Sequence, residues 1–359
     1  MASVGNSIEQ ATKWLREGYP VAIPTETVYG LAANACREDA LIRIFEAKRR
    51  PLFDPLIVHL PTVSSILPYT KNIPRLAFEL WERYSPGPLT LVLTKSALLP
   101  DLLSSGLPTA AFRIPAHPVA LQVLNAIDFP LAAPSANLFG RVSPTTAVHV
   151  LNQLGDHIPY VLDGGPCSVG LESTIIDLSG PEPILRREGG IPSQSIEDEL
   201  KITLQRPVHA FRIHDGFVPS AGTLDNHYAP KVPLICYHNN EELKNIVSRL
   251  PAIHHPDPTV RTADMPPMRE PTLGMLRFQS DIPDHFRDLC ERNKMGTIRI
   301  IEILSPSGDL KEAARNLFAA MRSLEEGCDL ILAEQAPEHG LGLAINDRLR
   351  RASVKGATG

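Results

Sequence analysis

Pro130-Leu-Ala-Ala-Pro-Ser-Ala-Asn137 is a short apolar run between two prolines, followed at once by a hydroxyl and an amide side chain. Leu131-Ala132-Ala133 predicts a short buried strand, and Ser135 and Asn137 stand where that strand leaves the sheet. Taken alone, the segment also fits an ordinary turn. Open α/β sheets bind ligands at the carboxyl ends of their strands, where such groups can donate to phosphate oxygens.

Two cationic residues, Lys48 and Arg50, stand at the C-terminal end of a predicted helix. The helix has an apolar stripe, Leu41, Ile44 and Phe45, that continues to Lys48, so a lysine stands where the next core residue is expected. A proline follows Arg50 and breaks the helix. We therefore expect Lys48 and Arg50 to reach out from one corner toward a polyanion such as a triphosphate.

Further polar side chains stand near the ends of predicted strands. Thr25 and Thr27 follow the strand predicted at 19–23, where they either cap the next element or hold a ligand's carboxylate or phosphate. His59 is either a structural hydrogen-bonding residue or part of a site. Arg113 interrupts the apolar strand 109–115 and needs an anion, either an internal acid or a substrate carboxylate. Arg187 is a second strand-end cation.

The composition is that of a folded globular protein: 359 residues, 43% hydrophobic, 21% charged, with a net charge of −5. This charge argues against a chain that grips nucleic acid through a broad basic surface. The five cysteines form no C-x-x-C pair, so neither zinc nor a disulfide framework is indicated, and a cytoplasmic location is expected. No targeting segment or membrane span is predicted.

The length favours two domains. Strands and helices fill residues 1–202, with a hairpin predicted over 173–187. Residues 203–231 lack sustained periodicity and are predicted to be a linker. From residue 232 to 359, strands alternate with helices, including one stripe that runs from Leu310 to Gly327. The predicted fold class is α/β: a twisted open sheet with helices, then a linker and a smaller Rossmann-like parallel-sheet domain.

Seven segments occur together in an order that resembles the YrdC-like threonylcarbamoyl-AMP synthases. They are Pro24-Thr-Glu-Thr-Val-Tyr-Gly30, Lys48-x-Arg50-Pro51, Pro55-Leu-Ile-Val-His59, Ser85-Pro-Gly-Pro-Leu-Thr90, Phe112-Arg-Ile-Pro-x-His-Pro118, Pro134-Ser-Ala-Asn137 and Gly170-Leu-Glu-Ser-Thr-Ile-Ile-Asp177. His227-Tyr-Ala-Pro230 and Asn346-Asp-Arg-Leu349 resemble the longer, two-domain form of the family. The resemblance covers nearly the whole chain.

The resemblance implies condensation of L-threonine, bicarbonate and ATP into threonylcarbamoyl-AMP with release of pyrophosphate. Magnesium is expected with the ATP, held mainly by phosphates and waters, so no protein metal cage is predicted. A separate transferase would place the threonylcarbamoyl group on adenosine next to the anticodon of tRNA. Whether the chain itself binds tRNA stays open, and no membrane partner is expected.

The residues and the resemblance together give two predicted sets. Catalysis is assigned to Lys48 and Arg50. The ATP set is Lys48, Arg50, Asp54, Thr109, Ser135, Asn137, Ser143, Arg187 and Tyr228. The threonine set is Thr25, Thr27, His59, Arg113, Ala133 and Ser173. Asp54 departs from the family, which usually has Asn there. Tyr228 is predicted to reach back over the first domain as a lid.

Two other functions fit parts of the pattern. The first is an RNA-binding module. The second is a carbamoyl-adenylating enzyme with another acceptor, as in the YrdC-like domains of hydrogenase-maturation proteins. The chain has no Walker A, H-E-x-x-H or G-x-S-x-G motif, so an ATP site here must be built from separate cations, hydroxyls and amides.

Overall fold

The structure is a computed structural model that describes residues 1–206, 228–253, 272–280 and 297–354. It divides the chain into two compact units, Met1–His227 and Tyr228–Gly359. Most of the predicted linker, 203–231, lies outside the described residues, so the predicted domain limits stay predictions.

The first unit is a large mixed sheet flanked by helices. Its strands are β1 Ser3–Gly5, β2 Val21–Ile23, β3 Gly30–Asn34, β4 Ile57–His59, β5 Leu89–Thr94, β6 Thr109–Arg113, β7 Leu131–Ala132, β8 Tyr160–Leu162, β9 Thr174–Asp177 and β10 Ile184–Arg187. Its helices are α1 Ile8–Arg16, α2 Glu38–Lys48, α3 Val63–Ile66, α4 Arg75–Tyr84, α5 Pro118–Asn125, α6 Ala147–Leu154 and α7 Ser193–Leu200, with 3-10 turns at Leu67–Tyr69 and Asp101–Ser104. The strand order is β1-β8-β2-β3-β7-β4-β6-β5-β9-β10.

The strand predicted after Pro130 lies at the centre of this sheet. β7 is fully buried between β3 and β4 and runs antiparallel to both. β4 and β6 are parallel neighbours, and β5 is antiparallel to β6 but parallel to β9. β9 and β10 form the predicted antiparallel hairpin, with an irregularity before Arg187. The prediction of a twisted open sheet with helices is confirmed.

The two faces of the sheet differ in what covers them. Val58 and Phe112 join the main core, to which the apolar faces of α2 and α4 contribute. Successive strand residues point to opposite faces, and their neighbours Ile57 and Ala111 belong to a small cluster with Val92 and Ile175 on the other face. Over β4, β6, β5 and β9 this second face therefore has only a thin apolar cover, beside which polar side chains can be placed. Over β2, β3 and β7 the same face is covered by α1 and α5.

Helix α2 ends as the sequence predicts, but with its lysine buried. Leu41, Ile44 and Phe45 are at most 3% exposed, and Lys48 continues the stripe at 1%. The helix stops at Arg49, whose φ of 51° is left-handed and whose N–H donates to the Glu46 carbonyl at 3.1 Å. The stripe therefore carries the amine of Lys48 into the protein rather than into solvent.

The second unit contains a parallel sheet, as predicted. Its described elements are β11 Leu234–Tyr237, β12 Thr272–Arg277, β13 Thr297–Ile303 and β14 Leu330–Glu334, with helices α8 Asn240–Ile253, α9 Leu310–Gly327 and α10 Leu341–Ala352. The strand order is β11-β14-β12-β13 and every pairing is parallel. Asp309 caps α9 by accepting from the Lys311 N–H. In the described ranges, no helix is long and apolar enough to cross a membrane.

Gly189 allows a close approach between two backbone segments. A Cβ built at this position would lie 2.3 Å from the backbone carbon of Ser173 and 2.3 Å from the nitrogen of Thr174. Gly180, by contrast, has no atom within 4 Å of a built Cβ. Neither residue has a positive φ. Alanine at either position therefore meets no strain from a positive φ, and only alanine at position 189 meets steric crowding.

We expect Gly189→Ala to lower the free energy of unfolding of the first unit by roughly 2–3 kcal/mol, because backbone atoms cannot move aside as a flexible side chain can. Gly180→Ala should change it by less than about 0.5 kcal/mol. Both tryptophans, Trp14 and Trp81, lie in this unit, so urea titration followed by tryptophan fluorescence reports on it. Equal midpoints for the two variants would contradict the crowding.

Candidate functional site

A row of polar side chains crosses the centre of the large sheet. His59 on β4 is paired with Arg113 on β6, which is paired with Thr90 on β5. Beyond Thr90, Ile175 on β9 is paired with Arg187 on β10. Directly paired residues project from the same face of a sheet, so all these side chains lie on the thinly covered face. His59 and Arg113 are the last residues of their parallel strands, at the edge where ligand sites form.

Arg113 is buried, at 4% exposure, and has an internal carboxylate partner. Its Nη2 lies 2.7 Å from Oε1 of Glu26. Its Nη1 donates to Oγ1 of Thr27 at 2.8 Å, and its Nε donates to the Gly87 carbonyl at 3.3 Å. Of the two anions considered for this arginine, the internal acid is therefore present. Glu26 itself was not among the predicted site residues.

The Thr25–Thr27 turn is held by its own hydroxyls. Thr25 Oγ1 donates to the Val28 carbonyl at 2.6 Å and accepts from the Thr27 N–H at 3.2 Å. The two threonine Oγ1 atoms are 2.8 Å apart. Both threonines are buried. The first alternative, local capping, thus describes Thr25, while Thr27 also reaches the guanidinium of Arg113.

His59 is a neutral imidazole. Burial first, and the positive charge of Arg113 second, lower its pKa to about 3. Nδ1 lies 3.2 Å from the Ile57 carbonyl, and this contact assigns the proton to Nδ1 and leaves Nε2 as an acceptor. On the adjacent strand, Ala133 donates its N–H to the same Ile57 carbonyl at 2.9 Å. Ala133 is buried and presents only a methyl group near this edge.

Ser173 joins the row at its other end. Its Oγ lies 2.7 Å from Oγ1 of Thr90 and accepts from Nη2 of Arg187 at 3.2 Å. The Ser173 carbonyl also accepts from Nε and Nη2 of Arg187, at 3.1 and 3.0 Å. A residue predicted for threonine and one predicted for ATP therefore touch each other. This contact joins the two predicted sets in one region.

Lys48 lies beside the segment that follows β7. Its Nζ donates to the carbonyls of Ser135 and Asn137, at 2.5 and 2.6 Å. Burial, and then the neighbouring Arg50, lower the pKa of Lys48 well below its ordinary value, while Asp54 acts in the opposite direction. As an ammonium group, it has a third N–H to offer to an anion.

Arg50 and Asp54 form a buried ion pair. The Arg50 Nη2 lies 2.8 Å from Oδ2 of Asp54, and the guanidinium also donates to the carbonyls of Asp54 and Pro55. Arg50 is 8% exposed and Lys48 is 1% exposed. The expectation that these two cations reach out from a corner is therefore wrong, because both side chains are directed into the protein. Their roles toward ATP remain predictions.

Ser143 and Asn137 are two further residues of the predicted ATP set. Ser143 Oγ donates to Oε1 of Glu172 at 2.6 Å, and Glu172 directly precedes Ser173 in the chain. The Asn137 amide donates to the Leu138 and Arg141 carbonyls. Its Oδ1 is buried and, among the described residues, has no hydrogen-bond partner. Sequence reasoning missed Glu172, although it lies within a motif that was recognised.

Two predicted ATP residues take no part in the contacts described above. Thr109 begins β6, at the opposite end of the strand from Arg113, and is half-buried. Tyr228 is fully buried in the second unit, where its ring stacks on Phe318 with centroids 5.7 Å apart and lies 5.2 Å from the Arg348 guanidinium carbon. The packed tyrosine differs from the predicted lid, so an ATP contact by Tyr228 remains a prediction.

The described residues contain no group of three or more His, Cys, Asp or Glu side chains that could hold a metal ion. What they do contain is a region with cations, hydroxyls and an unpartnered amide oxygen, all buried before any ligand is bound. Such an arrangement can bind a carboxylate and a phosphate chain through fixed donors. It offers positioning and charge neutralisation rather than a covalent nucleophile.

Comparison with known proteins gives the same family for both units. Residues 13–189 match the Sua5, YciO and YrdC family described as "Telomere recombination", and residues 192–354 match "Threonylcarbamoyl-AMP synthase, C-terminal domain". The threonylcarbamoyl-AMP synthase of Pyrococcus abyssi is 38% identical over 353 residues, 96% of this chain and 94% of the relative. That of Bacillus subtilis is 36% identical over 352 residues, covering 96% and 92%.

A solved structure matches over both units as well. The crystal structure of Pyrococcus abyssi Sua5 complexed with L-threonine superposes with a TM-score of 0.82 at 34% sequence identity, covering 98% of this chain and 97% of that one. Both relatives are more than 30% identical to this chain over more than nine-tenths of their own length. The chain therefore belongs to the threonylcarbamoyl-AMP synthase family of enzymes, in its two-domain form.

Proposed function

We propose that this chain condenses L-threonine, bicarbonate and ATP into threonylcarbamoyl-AMP with release of pyrophosphate. The observation that carries the proposal is the contact between the two predicted sets at Ser173, which accepts from Arg187 and meets Thr90 beside Arg113. A carboxylate held at Arg113 and a phosphate chain held at Arg187 would lie on the same face of one sheet. That is the juxtaposition that joining an amino acid derivative to AMP requires.

In this proposal, the amino acid lies against the row at the carboxyl ends of β4 and β6. Arg113 binds its carboxylate, since a guanidinium keeps two further N–H groups after its three internal hydrogen bonds. The acceptor Nε2 of His59 receives the side-chain hydroxyl or the amine. Thr25, Thr27, Ala133 and Ser173 complete the predicted threonine set around these two groups.

ATP is proposed to lie between the β7 segment and the β9–β10 hairpin. Lys48 and Arg187 neutralise its phosphates, and Ser135, Asn137 and Ser143 supply small polar groups around them. Arg50 and Asp54 act together, since the aspartate fixes the guanidinium at 2.8 Å. Thr109 and Tyr228 keep their predicted ATP roles.

Magnesium would arrive with ATP rather than in a protein cage. The unpartnered Oδ1 of Asn137 fits this role, because an amide oxygen can accept a hydrogen bond from a metal-bound water. When bound, the ion supplies charge neutralisation on the phosphates. The side chains described above position the substrates, and they do so without any carboxylate cluster of their own.

The chemistry then needs positioning and exclusion of water. The neutral threonine amine takes up carbon dioxide with loss of a proton, or bicarbonate with loss of water, to form a carbamate. A carbamate oxygen then attacks the α-phosphorus while pyrophosphate leaves. Lys48 and Arg187 stabilise the charge on the leaving group. A separate transferase would then pass the threonylcarbamoyl group to tRNA. A cytoplasmic location fits the thiols of Cys36, Cys167, Cys236 and Cys328, which form no disulfide in the described chain.

Mass spectrometry of products tests the proposal directly. With ATP, magnesium, bicarbonate and L-threonine all present, threonylcarbamoyl-AMP and pyrophosphate should form in equal amounts. Omitting any one of ATP, bicarbonate or threonine should abolish both. If another acceptor replaces threonine without loss of rate, the second enzyme class is favoured. Salt-sensitive binding of RNA without turnover would instead favour the RNA-binding module.

We expect Lys48→Met to lower kcat/KM for ATP by about ten- to hundredfold, since a charge-assisted contact is worth roughly 1.5–3 kcal/mol. Methionine preserves the volume of the buried stem. Lys95→Met is the matched control, because its amine also contacts a carbonyl, that of Leu99, but pairs with Asp101 outside the site. Steady-state kinetics on both variants decide the point. Equal kcat/KM for the two would remove Lys48 from the ATP set.

A neutral His59 predicts how threonine binding depends on pH. The pKa of His59 is about 3, whereas an ordinary histidine has a pKa of about 6.5. His59 therefore stays neutral between about pH 5.5 and 8, the range in which an ordinary histidine would lose its charge. Threonine affinity, measured by calorimetry without ATP or bicarbonate, should show no inflection near pH 6.5. Bicarbonate is left out since it titrates in this range. An inflection present in the wild type and absent in His59→Gln would contradict the neutral imidazole.

A further inference from the structure

Glu26 is a buried carboxylate in the first turn of the sheet, and it lies outside both predicted sets. It follows Thr25 in the Pro24–Gly30 segment and is 6% exposed. An ionised carboxylate at this depth must be matched by donors or a cation, since burying it alone is strongly unfavourable. The contacts it makes therefore show what it is there to hold.

Each oxygen of Glu26 has one partner from the segment around β6. Oε1 accepts from Nη2 of Arg113 at 2.7 Å, and Oε2 accepts from the N–H of Ala116 at 3.0 Å. Its main-chain carbonyl accepts from the Val169 N–H at 2.7 Å, which ties the turn to the loop before β9. The carboxylate is thus fixed from two sides and cannot turn without losing a hydrogen bond.

Arg113 is oriented by these contacts. A guanidinium has five N–H groups, and three of them donate to Gly87, Thr27 and Glu26. One N–H on each terminal nitrogen remains, and a guanidinium can bind the two oxygens of a carboxylate through such donors. Together with Gly87 and Thr27, Glu26 fixes the plane of the guanidinium, and with it the direction in which the remaining N–H groups point.

We propose that Glu26 is a positioning residue of the amino-acid site, which orients Arg113 so that its two remaining N–H groups bind the substrate carboxylate. The inference rests on the proposed function and adds a residue to it. Glu26 touches no substrate itself and acts through Arg113. It should therefore control the preference of the site for a free carboxylate over an amide.

Glu26→Gln changes the donor pattern with almost no change in size. Glutamine keeps only one of the two oxygens, so in the same side-chain position its NH2 group must face either Arg113 or Ala116, and both of these are donors. Arg113 then turns or loses its partner. Wild-type protein should bind L-threonine about tenfold or more tighter than L-threoninamide, because the amide cannot accept two charge-assisted hydrogen bonds. In Glu26→Gln this preference should fall to about twofold or less.

Asp177→Asn is the matched control. Asp177 is also buried, its Oδ2 accepts from Nη2 of Arg186 at 2.7 Å, and its Oδ1 accepts from the Ser179 N–H at 2.9 Å. It therefore has the same two kinds of partner but belongs to neither predicted set. This variant should lose stability in urea, as Glu26→Gln does, and should keep the wild-type preference for threonine over threoninamide.

Calorimetric titration of the full chain with the two ligands provides the measurement, and urea unfolding shows that each variant is folded. A folded Glu26→Gln that retains the wild-type preference overturns the proposal. If that variant does not fold, Glu26→Asp replaces it: its shorter side chain should weaken the preference, and an unchanged preference overturns the proposal equally. Loss of the preference in Asp177→Asn also overturns it. Failure of the proposed function is seen separately, as a wild type that binds neither ligand.

Discussion

The free-energy cost of removing positively charged side chains from water determines how the first unit is built around its candidate site. Lys48, Arg50, Arg113 and Arg187 are each at most 8% exposed. Such burial is tolerated only where carbonyls or carboxylates replace the lost hydration, and every one of the four has such partners. The partners of Lys48 and Arg113 come from distant parts of the chain, so satisfying these two cations also joins the segments around the site. The donors are consequently fixed before any ligand arrives, which is what catalysis by positioning needs.

The parts of the fold that could be predicted are those with a strong local period. The apolar stripe of α9 and the β9–β10 hairpin were both predicted, because their patterns lie within a few residues. β3 was missed, since Gly30–Asn34 is buried throughout and shows no alternation. β1 is only three residues long, and α10 begins among glycines that weaken a helical prediction. The helices α3 and α7 were missed as well, whereas the strand predicted at 109–115 is observed as Thr109–Arg113.

The residues of the candidate site likewise divide into those that the sequence pattern identified and those that it did not. Lys48 was found because it interrupts a stripe, and Arg113 because it interrupts a strand. Glu26 gave no such signal: it stands in a turn, where an acid is ordinary, and its partner is far along the chain. Tyr228 was placed by the lack of periodicity around it. That pattern cannot distinguish a mobile tyrosine from one packed on Phe318, whose helix lies much later in the sequence.

The strand order of the large sheet has a consequence for the nascent chain. β1 pairs only with β8, and β3 needs β7 on its second side. β2 and β3 can pair with each other early, but β1 stays unpaired and β2 and β3 each keep one open side until much of the unit has been made, and such topologies fold slowly. Unpaired strand edges invite association between chains. β1 and β2 are three residues long and β3 five, so the segments that wait longest offer little edge to a neighbouring molecule.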